Sequence, residues 1–272
     1  MEAETTLQEY DFQKLVQSYA EKFYRKNVQS DSIIITDLLE EIISSLGIDV
    51  MYYNFEKTDD QTRPINGIYM RSIDVTTKSH KIIIHTLDDT KTQNFTLAHE
   101  LFHHLLMEEN PPKLRFVLKD DSLLERAGDF FAASLLMNEK KFRTHYEFLC
   151  ETNPFEDLIF KLSDIFRVPY VSVIRRLDEL SLLPTQHRSY LNWKESELLE
   201  RRNTLMGESI YDQPSRKPVF HHYVRLIENG LASKQLKLLE SAKRLNKVNP
   251  ARSEELYKEY EELLNMLEDE DD

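Results

Sequence analysis

The sequence predicts an α+β fold in which a small antiparallel sheet lies beside one long helix and mostly helical modules follow. Three observations carry this. Short apolar or alternating runs at Ile48 to Phe55, Gly67 to Met70 and Lys81 to His85 are separated by polar turns and read as strands. Thr90 to Glu109 holds neither Gly nor Pro and repeats apolar residues at helical spacing. Beyond it, helical patterns dominate to the end of the chain.

Ahead of the strands, the amphipathic segments Asp11 to Tyr24 and Leu38 to Leu46 read as helices, the second ended by Gly47. Ile82-Ile83-Ile84 reads as a buried strand leading into the long helix. Leu123 to Met137 reads as a helix that is strongly apolar over its last half, and Asn138 is a suitable N-cap for another from Glu139 to Phe148. Leu158 to Phe166, a turn at Arg167-Val168-Pro169, and Tyr170 to Leu180 have the length and turn of a helix-turn-helix. Arg167, Arg175 and Arg176 are its candidate phosphate contacts; the alternative is a packed helical module whose arginines pair with surrounding acids. A polar stretch runs from Pro184 through Arg202, and Pro214-Ser215-Arg216-Lys217-Pro218 reads as a linker or turn. Val219 to Asn229, Ser233 to Leu245 and Glu254 to Leu267 then read as helices separated by Gly230 and by Asn249-Pro250. The expected divisions are residues 1–150, 151–186 and 187–272, the last a helical domain or arm for which self-association is one use.

With 272 residues the chain is long enough for a substantial core. A net charge of -13 argues against broad nucleic-acid affinity, which needs Lys and Arg at phosphates, and suits a basic protein partner. A single Cys, no signal-peptide pattern and no apolar run of membrane-spanning length together predict a soluble cytoplasmic protein. The terminal run Glu268 to Asp272 reads as a solvated tail.

The chemistry concentrates in His99-Glu100-Leu101-Phe102-His103. At about 100° per residue, His103 projects about 40° from His99 and Glu100 about 100°, so all three share one flank of the helix. Two imidazoles one turn apart suit one zinc ion, with the carboxylate facing the open position as general base. As a bare pattern the pentapeptide also arises by coincidence; its place in an unbroken helix after an apolar strand favours the metal. Such a site requires a third protein ligand. Glu125 and Asp129, four apart on the next helix, suit a ligand and a carboxylate behind a ligand histidine, or else are solvated acids in a first turn. Thr96 lies one turn before His99 as a candidate hydrogen-bonding neighbour. His85 reads as a structural strand-end residue, His104 as a surface neighbour about 140° from His99, and His221 with His222 as at most an adventitious pair.

The run Phe-Thr-Leu-Ala-His-Glu-Leu-x-His, followed some twenty residues later by Glu-x-x-small-Asp-x-Phe-Ala-Ala-x-Leu-Leu-Met, resembles the ImmA/IrrE family of zinc metallopeptidases, and Leu162 to Pro169 with Val171 to Leu180 is similar to the segment that follows there. The resemblance covers about residues 30 to 185. It implies a zincin-like peptidase domain, Zn2+ held by His99, His103 and Glu125, and Glu100 as the base. It departs at Phe102, where the family commonly has Gly, at Gly128, where it has a small residue such as Ala, and at Asn138, where it has Pro. The function it implies is cleavage of a helix-turn-helix repressor of a mobile element or stress regulon. The alternative is a non-proteolytic regulator that uses the same scaffold to hold a repressor, or to touch DNA through residues 158–180.

Overall fold

The computed structural model describes residues 2–28, 34–55, 65–73, 78–215 and 220–269, with backbone alone at 2–11, 73, 78, 221, 222 and 267–269. The fold is α+β, a three-stranded sheet among helices. Helices α1 (Glu2–Asn27) and α2 (Leu39–Ser45) precede strands β1 (Ile48–Tyr53), β2 (Gly67–Ile73) and β3 (Lys78–His85). The turn into β1 uses Gly47 at φ 76, a left-handed conformation that a β-carbon would strain.

The sheet is mixed rather than wholly antiparallel. Its order is β1-β3-β2, with Tyr69 opposite Ile82 in the antiparallel pair and Val50 opposite Ile82 in the parallel one. The most apolar strand takes the middle, where both of its edges are paired and Ile82 and Ile84 are fully buried. Strand β2, with Arg71 and Ser72, is left on the edge.

Helix α3 (Thr90–Glu109) has the predicted bounds. Asp89 caps it by accepting the Thr92 N–H at 3.0 Å, and Asn110 stops it in the left-handed conformation at φ 43. Its buried stripe includes Leu97, Ala98, Leu101, Phe102 and Leu105, and the Phe102 ring packs 5.4 Å from Phe131 of α4 (Asp121–Leu136). Phe102 therefore faces the core, as the angular count requires.

Helices α5 (Glu139–Cys150), α6 (Phe155–Phe166) and α7 (Tyr170–Glu179) follow. Asn138 occupies the cap position of α5, but its side chain makes no capping bond. Helix α8 (Glu195–Met206) falls in the stretch read as polar: it buries only Leu198 and Arg202, too little apolar repeat to show in the sequence. Its Glu195 accepts the Tyr170 and Val171 N–H groups at 2.8 and 2.9 Å and so caps α7 from outside.

Helices α9 (His221–Ala232), α10 (Leu238–Leu245) and α11 (Pro250–Asp269) complete the chain. Gly230 does not separate helices but lies inside α9, where Leu236 packs so closely that a β-carbon would sit 2.8 Å from its Cδ1. The buried residues form two clusters, one running from Phe12 to Leu198 and including α6 and α7, the other of Val224, Ile227, Ala242, Leu245 and Leu256. No helix among the described residues is long and apolar enough to cross a membrane.

Candidate metal centre

Packing of α4 on α3 brings His99, His103 and Glu125 together. The ring nitrogens His99 Nε2 and His103 Nε2 are 3.1 Å apart, His99 Nε2 is 3.4 Å from Glu125 Oε2, and His103 Nε2 is 3.6 Å from Glu125 Oε1. Three ligands in a tetrahedron of zinc bonds about 2.0–2.1 Å long stand about 3.3–3.4 Å from one another. The two distances to Glu125 end on different oxygens, and one donor atom from each residue lies within 4.8 Å of the others, close enough for a small adjustment to bring this triangle to zinc spacing; imidazole nitrogen and carboxylate oxygen are donors zinc accepts.

Asp129 stands behind this triangle and accepts from His99 Nδ1 at 3.0 Å. With a metal bound, that bond would leave the other ring nitrogen free to face the triangle. Glu125 and Asp129 are one turn apart on α4, with side chains 65% and 53% exposed, so the centre is open on this side. Their charges act on the histidines. Burial opposes protonation of His99, but the bonds to Asp129 and Glu125 outweigh it and carry its pKa up to about 10. Burial and the adjacent His99 push His103 down to about 4. The His99 bond holds Glu125 below the ordinary carboxylate value. The carboxylates of Glu125 and Asp129 thus favour positive charge at this point, which a divalent cation would supply.

Glu100 is buried against the edge strand, its Oε2 accepting the Tyr69 N–H at 2.8 Å. Burial raises its pKa, with His99 and the Tyr69 N–H acting in the opposite sense. The Thr96 methyl meets Gly67, where any β-carbon would collide with Thr96 Cγ2 and come within 3.3 Å of Glu100 Cγ. His85 is structural, its Nδ1 accepting the Phe55 N–H at 3.1 Å. His104 is a correction, because strand β2 covers its flank of α3 and leaves it 5% exposed against Tyr69 and His80. The side chains of His221 and His222 lie outside the described residues.

Two glycines at the centre were not legible as such. A β-carbon on Gly128 would lie 2.7 Å from His99 Cε1, so glycine there lets α4 reach the ring. Gly67 does the same between β2 and α3. Also unforeseen was the clamp at the start of α3: buried Lys91 pairs with Asp164 at 2.9 Å and Asp212 at 2.8 Å and donates to the Tyr170 hydroxyl at 2.7 Å. Arg202 joins both carboxylates, and the Thr90 N–H donates to the Gln213 carbonyl at 3.0 Å.

Arg167 is paired with Asp37, and Arg176 is 1% exposed, bonded to the Met137 carbonyl, Ser134 and Glu179. Of the three arginines only Arg175 stands exposed.

A solved structure of a Mycobacterium tuberculosis transcriptional regulator is similar over 65% of this chain and 52% of its own, so the match spans about half of that regulator, at 20% sequence identity and a TM-score of 0.42. No curated protein matches the chain significantly. The model of the IrrE N-terminal-like domain matches residues 43–178, half of the chain, from α2 through all three strands and both helices of the centre into α7, and the chain belongs to that family, Peptidase_M78.

Proposed function

We propose that this chain is a zinc-dependent intracellular endopeptidase, and that its substrate is a helix-turn-helix repressor whose cleavage frees the promoters it holds. The observation that carries the reading is the donor triangle of His99, His103 and Glu125 with a buried, backbone-anchored Glu100 beside it. Zinc in such a triangle supplies Lewis acidity, acidifying water and polarising a scissile carbonyl. Glu100 takes the proton from the attacking water and delivers it to the leaving amine. Its burial favours this, since a carboxylate short of solvent is the stronger base. Asp129 keeps the His99 lone pair facing the centre. The outward Tyr69 N–H of edge strand β2 is taken by Glu100, so an extended segment of substrate would pair elsewhere along that edge. The net charge of -13 favours encounter with a basic partner, as DNA-binding repressors are.

The test is Glu100→Gln. The amide fits the same space and still accepts the Tyr69 N–H, but it cannot take a proton. Cleavage of the repressor should fall by about 10² to 10⁴ while one zinc stays bound per chain. A Gln variant that derepresses the target as well as wild type while binding the repressor equally would replace this reading by the non-proteolytic regulator.

A further inference from the structure

Four residues of α3 face the edge strand in one row. Thr96, Glu100, His104 and Glu108 recur every fourth position, a step of about 6 Å along a helix. Along a strand, every second residue directs its backbone groups to the same edge, a step of about 6.7 Å. The two periods nearly match, and the structure uses the match. The His85 N–H donates to the Asn66 carbonyl, so Asn66 faces β3 while Gly67, Tyr69 and Arg71 turn their backbone groups outward. Thr96 meets Gly67, Glu100 accepts the Tyr69 N–H at 2.8 Å, His104 Nδ1 lies 3.3 Å from the Tyr69 hydroxyl, and Glu108 pairs with Arg71 at 3.5 Å.

Tyr69 alone is gripped at both ends. Its hydroxyl lies within hydrogen-bonding distance of two ring nitrogens, 2.9 Å from His80 Nδ1 and 3.3 Å from His104 Nδ1. The ring lies nearly parallel to His80, at 7°, and edge-on to His104, at 81°. A one-residue slip of β2 would turn the Tyr69 N–H toward β3 and its ring to the opposite face. The hydroxyl contacts therefore oppose the movement that would take the N–H away from Glu100.

We propose that Tyr69 is a positioning residue for Glu100: its phenol, held by His80 and His104, fixes the strand so that its own N–H aims the Glu100 carboxylate. The consequence for catalysis rests on the peptidase reading; the consequence for the strand does not. The test uses full-length, ¹⁵N-labelled protein, metal-free and zinc-loaded, and follows the amide of residue 69. A carboxylate acceptor gives a strong, downfield-shifted amide, and Glu100→Gln, a neutral acceptor, should move it upfield. Tyr69→Phe should move it the same way and speed its hydrogen exchange about 10-fold, and His80→Gln should do so by less. Zinc content should stay at one per chain. In the cleavage assay, kcat should fall about 3- to 10-fold in Tyr69→Phe, with KM changed less than twofold, as expected for loss of one orienting hydrogen bond.

An amide that does not move in Tyr69→Phe overturns the proposal, as does an unchanged kcat in a variant of merely lower melting temperature. If the wild-type protein cleaves nothing yet the amide responds as described, the positioning stands and the peptidase reading fails. If wild type cleaves and the amide is indifferent to the phenol, the reverse holds.

Discussion

Gly128→Ala should weaken zinc binding without weakening the fold. The added β-carbon would lie 2.7 Å from His99 Cε1 and 2.9 Å from both ring nitrogens, where ordinary contact begins at 3.4 Å. The ring or α4 must therefore yield about 0.7 Å, a third of a zinc–nitrogen bond of about 2.1 Å. Movement of α4 also carries Asp129, the next residue, off His99 Nδ1. Disturbing the carboxylate behind a ligand histidine typically costs about 10- to 100-fold in metal affinity, and the same loss is expected here. The metal-free chain responds with the opposite sign. Alanine is about 1 kcal/mol better than glycine inside a helix, enough to raise the melting temperature of a chain this size by about 2 °C where the ring can move aside. Competition against a chromogenic zinc chelator, with thermal unfolding of the metal-free protein beside it, measures both. Wild-type zinc affinity in the alanine variant would show that the close approach has no part in building the centre.

Glu125→Ala should lower zinc retention on dialysis more than Asp129→Ala does, because it removes a bond and a charge together; equal retention by Glu125→Ala and wild type would move the third ligand elsewhere. A chain ending at Ser215 should fold and keep its zinc affinity, whereas one ending at His187 loses Glu195, Arg202 and Asp212, leaves Lys91 short of partners and should be less stable by about 3–5 kcal/mol in denaturant titration; equal stability of the two would place the boundary near 187 instead. Burial opposes the charge of Asp164, but Lys91, Ser209 and Arg202 outweigh it and hold its pKa below the ordinary 3.8. Its contribution is thus fully present above about 3.8 and lost as pH falls through the depressed value. Wild type and Asp164→Asn should differ in unfolding free energy at pH 7 and converge below pH 3.8, and a gap that stays constant into acid would remove Asp164 from the clamp.

The bounds of α3 were legible because the signals read for them, no breaker and an apolar stripe, are local; the Asp89 cap and the Asn110 stop seen in the structure are local too. The histidine pair and Glu100 were legible for the same reason, and the spacing of Glu125 and Asp129 was visible although their destination was not, since it depends on how α4 crosses α3. What stayed hidden is whatever depends on a neighbour distant in sequence. The parallel pairing of β1 with β3 follows from which strand takes the middle. Gly67 and Gly128 look like ordinary weak points of a strand and a helix until the opposite surface is in view. His104 looked exposed because an angular count knows one helix and not the strand laid over it. Lys91 carries no local sign of burial, since its partners lie 73 and 121 positions away.

That last distance bears on how the protein comes into being. A ribosome delivers Lys91 long before Asp212: at about 5–20 residues per second, the roughly 120 residues between them take about 6 to 24 s. Asp164 arrives partway through that interval, but until residue 212 is made the buried Lys91 in the first turn of the histidine-bearing helix lacks the second of its two carboxylate partners. The nascent chain therefore passes through a period in which both histidines exist but the helix that carries them is not yet locked at its start. Completion of the Lys91 clamp thus waits on residue 212, about 110 positions after the histidines of the centre have been made.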